Sequence, residues 1–319
     1  MVDKSSALAT DPKLPGVAFF LIGAPRCGTT ALAQALRERD DVCFSVPKET
    51  HFFAQIPENW KPELLKQEFV STFFPADQLQ QRAAMGEGSV SYLYSPDAIR
   101  AIDTLFPQAK FLVMLRNPLE MLPSYHARIL FMMEEEVTDF EAAWHLQEAR
   151  AEGREIPRTC RDPRVLQYRE IGRLGKHLAN LFEIVPRDRI KLIHFEDFAR
   201  APLDVYRDVV DFLGLADDHR TSMPKVNGTR VYRSALLHRL TTRPPSVEFS
   251  RKLVQMKMRK RKPLLLRALR YLRRSNVTGS HWSPLSPAMR NEIVDSLRDD
   301  VALLSSLVDR DLSGWFADR

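Results

Sequence analysis

The stretch Phe20–Thr30, FLIGAPRCGTT, has the residue types and spacing of an anion-binding turn. Gly23, four residues and Gly28 reproduce the first half of the phosphate-binding pattern G-x-x-x-x-G-K-[ST], but Thr29 stands where lysine is expected. Glycines at a strand-to-helix turn let backbone N–H groups, here from Arg26 to Thr30, converge on an anion. A helix starting near Thr29 adds the positive end of its dipole. Thr29 and Thr30 contribute hydroxyl donors, and Arg26 places a full positive charge inside the loop. Hydrolysis of a nucleoside triphosphate uses the missing lysine together with Mg²⁺ held by Ser/Thr and a strand-end Asp. In this chain the strongest strand runs into Arg116, so such a metal-dependent site is poorly supported. The loop suits a singly charged, poorly chelating group such as sulfuryl, handled without a metal.

The elements that must position this loop alternate between strand and helix. Val17–Gly23 is a short apolar run that reads as a buried strand ending at the loop. Leu32, Ala35 and Leu36 then recur at helical spacing, and Val42–Ser45 forms a second strand. Asp97–Pro107 reads as an amphipathic helix stopped by proline. Ala109–Pro118, AKFLVMLRNP, is the clearest strand, and it leads into a helix with Pro118 near its start. Pro123 reads as close enough to the first turn for its missing N–H to cost little. LQYREIGRLGKHLANLFEIVP reads as one long helix, RIKLIHFEDF (Arg189–Phe198) as a strand with a polar end, and PLDVYRDVVDFLGL as a helix ending at Gly214. A last amphipathic helix begins near Ser286.

Continuously apolar strands alternating with helices predict an α/β fold, a P-loop-like three-layer α/β/α arrangement with a central parallel sheet and additional helices. Ligands in such sheets sit beyond the carboxyl ends of the strands. The loop, Glu49 and Arg116 all fall at such ends. The expected organisation is a flexible leader over 1–15 and a single domain over 16–319, with a basic helical segment near 251–275.

The 319 residues carry a net charge of +6, which favours anionic partners, and 44% are hydrophobic, enough for a core. Cys27, Cys43 and Cys160 are the three cysteines; their odd number and the lack of C-x-x-C suggest neither a disulfide framework nor a zinc cluster. The start lacks a secretory apolar region, and no apolar run approaches the roughly 20 residues of a spanning helix. These features predict a cytoplasmic protein in a reducing compartment.

Three motifs in this order resemble the sulfotransferases that use 3′-phosphoadenosine 5′-phosphosulfate (PAPS), especially bacterial members and the Golgi heparan-type enzymes. GAPRCGTT resembles their 5′-phosphosulfate loop, KFLVMLRNPLEMLPSYH their 3′-phosphate segment, and PKETHFF (Pro47–Phe53) the segment bearing the catalytic carboxylate in heparan-type enzymes. Weaker echoes are GEGSVSYLYSP, HFEDF and DFLGL, and the likeness spans roughly Val17–Ser234. The resemblance implies that Arg26, Cys27, Gly28, Thr29 and Thr30 hold the 5′-phosphosulfate. It implies that Arg116 and Ser124 grip the 3′-phosphate. KVNGTR sits where the family has a basic loop near the nucleotide, which adds Asn227, Gly228, Thr229 and Arg230. A guanidinium at a strand end can meet a phosphate bidentately, and a serine in the next helix supplies a further donor.

The implied reaction is in-line transfer of a sulfuryl group to an acceptor hydroxyl or amine, driven by positioning and charge stabilisation. Glu49 is the candidate base and His51 the second candidate. Arg26 stands where many relatives have lysine; its role is electrostatic, since a guanidinium with a pKa above about 12 donates no proton. Some heparan-type enzymes carry lysine where this chain has Gly88. His126 reads as a wall of the site, and Lys48 as a holder of Glu49 or of the sulfate.

Aromatic and acidic groups in HFFAQIPENW and EVTDFEAAWHLQEAR suggest an acceptor cleft, with a carbohydrate or glycolipid hydroxyl favoured. The segment near 251–275 suggests peripheral contact with an anionic membrane, and lacks the aromatic platform of a nucleic-acid arm. The competing readings are a P-loop kinase-like ATP-dependent phosphotransferase and a non-catalytic nucleotide-binding protein.

Overall fold

The computed structural model describes residues 14–54, 56, 60–224, 230–232, 277–279 and 284–317. Asn227, Gly228, Thr229 and the basic segment near 251–275 therefore lie outside the described residues.

Five parallel strands form the central sheet in the order β2-β3-β1-β4-β5. They are β1 (Val17–Leu21), β2 (Val42–Phe44), β3 (Ala84–Glu87), β4 (Lys110–Leu115) and β5 (Ile190–His194). β1 pairs on one side with β3, Val17 opposite Ala84, and on the other with β4, Phe19 opposite Lys110. The chain leaves β1 towards β2 and β3, then crosses to β4 and β5. The carboxyl end of β1 is thus the point where the strand order reverses, the usual place for a ligand in an open parallel sheet.

Helices cover both faces. The first is α1 (Thr29–Arg37), whose Leu32, Ala33, Ala35 and Leu36 are buried. α2 (Pro62–Phe73) and α3 (Ala76–Leu79) follow β2, and α4 (Pro96–Leu105) follows β3. α4 opens with Ser95, whose hydroxyl accepts from Ala98 N, and with Pro96 in the first turn, where its missing N–H has no cost. α5 (Pro118–Phe131) is capped by Asn117, which accepts from Leu119 N at 2.9 Å and donates to Trp315 O at 2.6 Å. Pro123 lies inside α5, beyond the first turn, contrary to the sequence reading. The helix continues because Met121, Leu122 and Pro123 are buried against the core.

After α6 (Phe140–His145) and α7 (Gln147–Ala151), the expected single helix is two: α8 (Tyr168–Gly172) and α9 (Leu174–Ile184). The break follows from contact with the C-terminal helix. A Cβ on Gly175 would come 2.3 Å from Asp300 O, and the Asp300 carboxylate accepts from Gly175 N at 2.8 Å and Lys176 N at 2.9 Å. Asp300 thus caps α9 from another element, which lets a second helix start there.

β5 ends at His194, and the FEDF of HFEDF opens α10 (Phe195–Arg200) instead of continuing the strand. α11 (Pro202–Leu213) closes on Gly214 in the left-handed region, φ 73°. β6 (Arg230–Tyr232) pairs antiparallel with β7 (Val277–Gly279) and lies beside α5. The next described helix, α12 (Pro287–Val308), is capped by Ser286 and packs on α8 and α9. No described helix is long and apolar enough to cross a membrane.

β3 is a strand that apolar patterning does not reveal. Its sequence is AMGE, yet all four residues are buried. A Cβ on Gly86 would fall 2.2 Å from the Phe19 ring, so glycine makes room for the neighbouring strand's aromatic side chain.

Candidate active site

Four consecutive parallel strands end on one edge of the sheet and deliver the site. The loop after β1 owes its shape to two glycines with different tasks. Gly23 lies against β4 so closely that a Cβ would be 2.0 Å from Met114 N; the strand pairing, not the anion, requires it. Gly28, φ 87°, is the left-handed residue from which α1 starts, and it offers no side-chain cap. Ala31 N already donates to the Gly28 carbonyl at 2.9 Å, so the N–H groups at the very start of α1, those of Thr29 and Thr30, are the ones placed for a ligand. Arg26 is also left-handed, φ 66°.

The structure joins the two predicted phosphate-binding segments. Arg26 Nε donates to Ser124 Oγ at 2.8 Å across the sheet edge, and Arg116 Nη1 donates to the Arg26 carbonyl at 3.0 Å. Arg116 also meets the Glu120 carboxylate through Nε at 3.3 Å and Nη2 at 3.0 Å, with the Phe195 ring 4.2 Å beneath its guanidinium. Glu120 and Phe195 are partners that sequence reasoning missed. Glu120 lies one helical turn beyond Arg116, the spacing at which an arginine–carboxylate pair forms. Ser124 is buried. Thr29 is buried with its hydroxyl towards Lys48, whereas Thr30 is exposed. Cys27 turns its thiol into the core, where burial pushes its pKa far up; only its backbone remains available to a ligand. Arg230 opens β6, beside the helix that carries Ser124.

Glu49 stands on a segment fixed from two strands. Lys48 O accepts from Gly88 N at 3.0 Å and from Ser45 Oγ at 3.2 Å. Thr50 N donates to Glu87 Oε1 at 2.9 Å, and His51 N donates to Ser89 Oγ at 2.8 Å. Glu87, at the end of β3, is buried and also accepts from Thr50 Oγ1, Ser89 N and Ser89 Oγ. Sequence reasoning missed it as well; the signal available was a carboxylate at a strand end, as for Glu49. Burial raises the Glu87 carboxyl pKa, and its donors offset part of that rise.

The Glu49 carboxylate meets Lys48 Nζ at 2.7 Å and lies 3.7 Å from His51 Nε2. Burial opposes its ionisation. The Lys48 ammonium, with His51 and Arg128 behind it, overcomes that and holds its pKa below the ordinary carboxylate value. His51 is half-exposed, with Nδ1 2.8 Å from Ser91 Oγ and φ 52°. Burial lowers its pKa more than Glu49 raises it, so the imidazole is neutral at pH 7. Glu49 and His51 thus form one base-competent pair, and the anion-binding turn reaches them through Thr29 and Lys48.

The aromatic residues assigned to an acceptor cleft lie elsewhere. Phe53 is buried among Phe20, Phe69 and Tyr92, and Phe52 stands edge-on to it at 5.1 Å. Trp144 is buried and packs with Phe140. Their hydrophobic area is taken by the core, which gains most from large rings. His126 is buried too, with Nε2 2.9 Å from Val137 O and its ring against Phe140 and Tyr168.

Residues 18–219 match the sequence profile described as the sulfotransferase family. The chain belongs to the sulfotransferase family. No curated protein sequence matches it. Among solved structures, it is similar to a sulfotransferase from Alicyclobacillus acidocaldarius, with 24% identity over 95% of this chain and all of that one, and a TM-score of 0.63. A sulfotransferase domain from the Synechococcus PCC 7002 olefin synthase gives 18% identity, 95% and 98% coverage and a TM-score of 0.44. Mouse sulfotransferase SULT7A1 complexed with PAP (3′-phosphoadenosine 5′-phosphate) gives 13% identity, 94% and 92% coverage and a TM-score of 0.43. The fold of this sulfotransferase, a five-stranded parallel sheet between helices, agrees with that family.

Proposed function

We propose that this sulfotransferase transfers a sulfuryl group from PAPS to an acceptor hydroxyl. The observation that carries the reading is the direct contact of Arg26 with Ser124, 2.8 Å, which fuses the glycine turn and the strand-end arginine segment into one cationic, donor-rich edge. The donor set fits a nucleotide bearing phosphates at both ends of its ribose. Backbone N–H groups of the turn, Thr29 and Thr30 suit the 5′ side, while Arg116, Ser124 and Arg26 suit the 3′-phosphate. When bound, PAPS supplies an activated sulfuryl group whose S–O bond to phosphate breaks as a bond to the acceptor oxygen forms. Glu49, kept ionised by Lys48, takes the acceptor proton, and His51 orients or relays it. The polar rim of Glu49, His51 and Ser91 favours a polar acceptor, and carbohydrate or glycolipid hydroxyls are the class proposed. The basic composition of 251–275 supports peripheral contact with an anionic membrane, which liposome flotation with and without anionic lipid tests.

The decisive experiment is a thermal-shift comparison of PAP with adenosine 5′-phosphate and with ATP plus Mg²⁺. Stabilisation by PAP well beyond the other two is expected, followed by PAP release from PAPS in the presence of candidate acceptors. Equal or greater stabilisation by ATP plus Mg²⁺ overturns the reading.

A further inference from the structure

We propose that the Lys48 ammonium is a catalytic cation of the transfer site, supplied from the segment that follows β2 in place of the lysine that the loop after β1 lacks. The inference rests on the PAPS reading above and assigns a residue to its bond-breaking step.

Three observations carry it. First, the charge is where the missing lysine is needed. Lys48 Nζ donates to Thr29 Oγ1 at 3.3 Å and to Glu49 Oε1 at 2.7 Å, so it spans the anion-binding turn and the base. Thr29 is the very residue that occupies the lysine position of the loop pattern. Second, the two guanidiniums of the phosphate-binding segments have partners other than Thr29 and Glu49. Arg26 reaches Ser124, and Arg116 reaches Glu120 and the Arg26 carbonyl. Third, the side chain is built in. Its backbone carbonyl is held by Gly88 N and Ser45 Oγ, and its stem lies over Gly88, where a Cβ would come 2.9 Å from Cε and 3.3 Å from Cγ. Glycine at 88 leaves the channel that the lysine stem fills, and the side chain is only 15% exposed. An ammonium carries three donors. Among the described residues Glu49 and Thr29 take two, which leaves the third for substrate.

A cation at this point has a specific task. As the S–O bond breaks, its electron pair stays on the oxygen that becomes part of the 5′-phosphate of PAP. The ammonium stabilises that growing charge, which PAPS does not yet carry and PAP carries in full. A salt bridge that only braced Glu49 would not distinguish the two nucleotides.

The test uses the full-length protein and needs no identified acceptor. Dissociation constants for PAP and for PAPS are measured by calorimetry for the wild type, Lys48→Met and Lys48→Arg, with thermal unfolding as the control for folding. Lys48→Met is expected to weaken PAP about 10- to 100-fold, the effect of losing a charge-assisted hydrogen bond, and PAPS much less. Lys48→Arg keeps the charge and is expected to retain part of the preference for PAP. Slow conversion of PAPS to PAP and sulfate, with water as acceptor, is expected to fall in Lys48→Met. If Lys48→Met does not fold, Lys48→Gln gives the same comparison. Equal weakening of PAP and PAPS, or none, overturns the proposal while leaving the PAPS reading intact. A folded wild type that binds neither nucleotide overturns both.

Discussion

Replacing Glu87 by glutamine tests whether the base is positioned from β3. Four donors converge on this buried carboxylate: Thr50 N at 2.9 Å, Thr50 Oγ1 at 3.1 Å, Ser89 N at 2.9 Å, and Ser89 Oγ. Three of them meet Oε1 and one, Ser89 N, meets Oε2. Glutamine keeps one acceptor oxygen, so the bonds to Oε1 survive as weaker, neutral ones. Its NH₂ must then face Ser89 N, donor against donor. Losing one hydrogen bond to a charged acceptor inside the protein costs about 1.5–3 kcal/mol. For a chain of this size that lowers the unfolding midpoint by about 3–6 °C, taking roughly 2 °C per kcal/mol. Relief of the burial that raises the Glu87 pKa offsets part of this cost, so the lower end is the expected one. The same substitution loosens Thr50 and, through Ser89, His51, the residues flanking Glu49 on its C-terminal side. Turnover is therefore expected to fall about 10–100-fold through misplacement of the base. PAP affinity should hold, because the hydrogen bonds of Glu87 go to Thr50 and Ser89 and not to the loop over 23–30. Scanning calorimetry, PAP titration and PAPS turnover on the one variant separate these effects. An unchanged midpoint together with unchanged turnover would refute the reasoning.

Further expectations concern the loop, the base and the arginine. Glu49→Gln should lower turnover by about 10²–10⁴-fold with PAP binding retained, as measured by calorimetry beside a PAP-release assay. Normal turnover would remove Glu49 from the mechanism. Arg116→Ala should weaken PAP by about 10- to 100-fold, the scale of a charged hydrogen bond, and an unchanged dissociation constant would end that assignment. Because folded Glu49 binds its proton more weakly than an ordinary glutamate, kcat/KM should stay level as pH falls from 7 and decline only below 4.5. A decline that sets in below 6.5 but above the glutamate range would instead transfer the base to His51, whose pKa burial lowers. Gly23→Ala should abolish soluble folding or strongly lower the unfolding midpoint, since the added methyl lies 2.0 Å from the β4 backbone.

Much of the site is legible in the sequence where local chemistry settles local structure. The turn after β1, the Arg116–Ser124 spacing and the PKETHFF segment are short, and their neighbours are the strands that carry them. The elements missed are those whose environment comes from distant chain. AMGE has the composition of a loop, but between β1 and β2 its glycine accepts the Phe19 ring and its glutamate meets four donors. Phe53 and Trp144 belong to the two segments expected to offer an acceptor cleft, and nothing local marks them as core; the fold places them against Phe69 and Phe140. The long helix expected over α8 and α9 breaks because Asp300, more than a hundred residues away, caps its second half.

By itself the sequence determined the α/β alternation, the anion-binding turn and the residue types available for transfer, since periodicity and turn chemistry act over a few residues. The tertiary structure alone decided that Arg26 meets Ser124, that Glu87 holds the backbone of Thr50 beside Glu49, and that Lys48, from the segment after β2, reaches Thr29 in the turn. Parallel pairing brings strand ends from distant parts of the chain onto one edge. Which charges then face one another depends on register and packing, which no local pattern encodes.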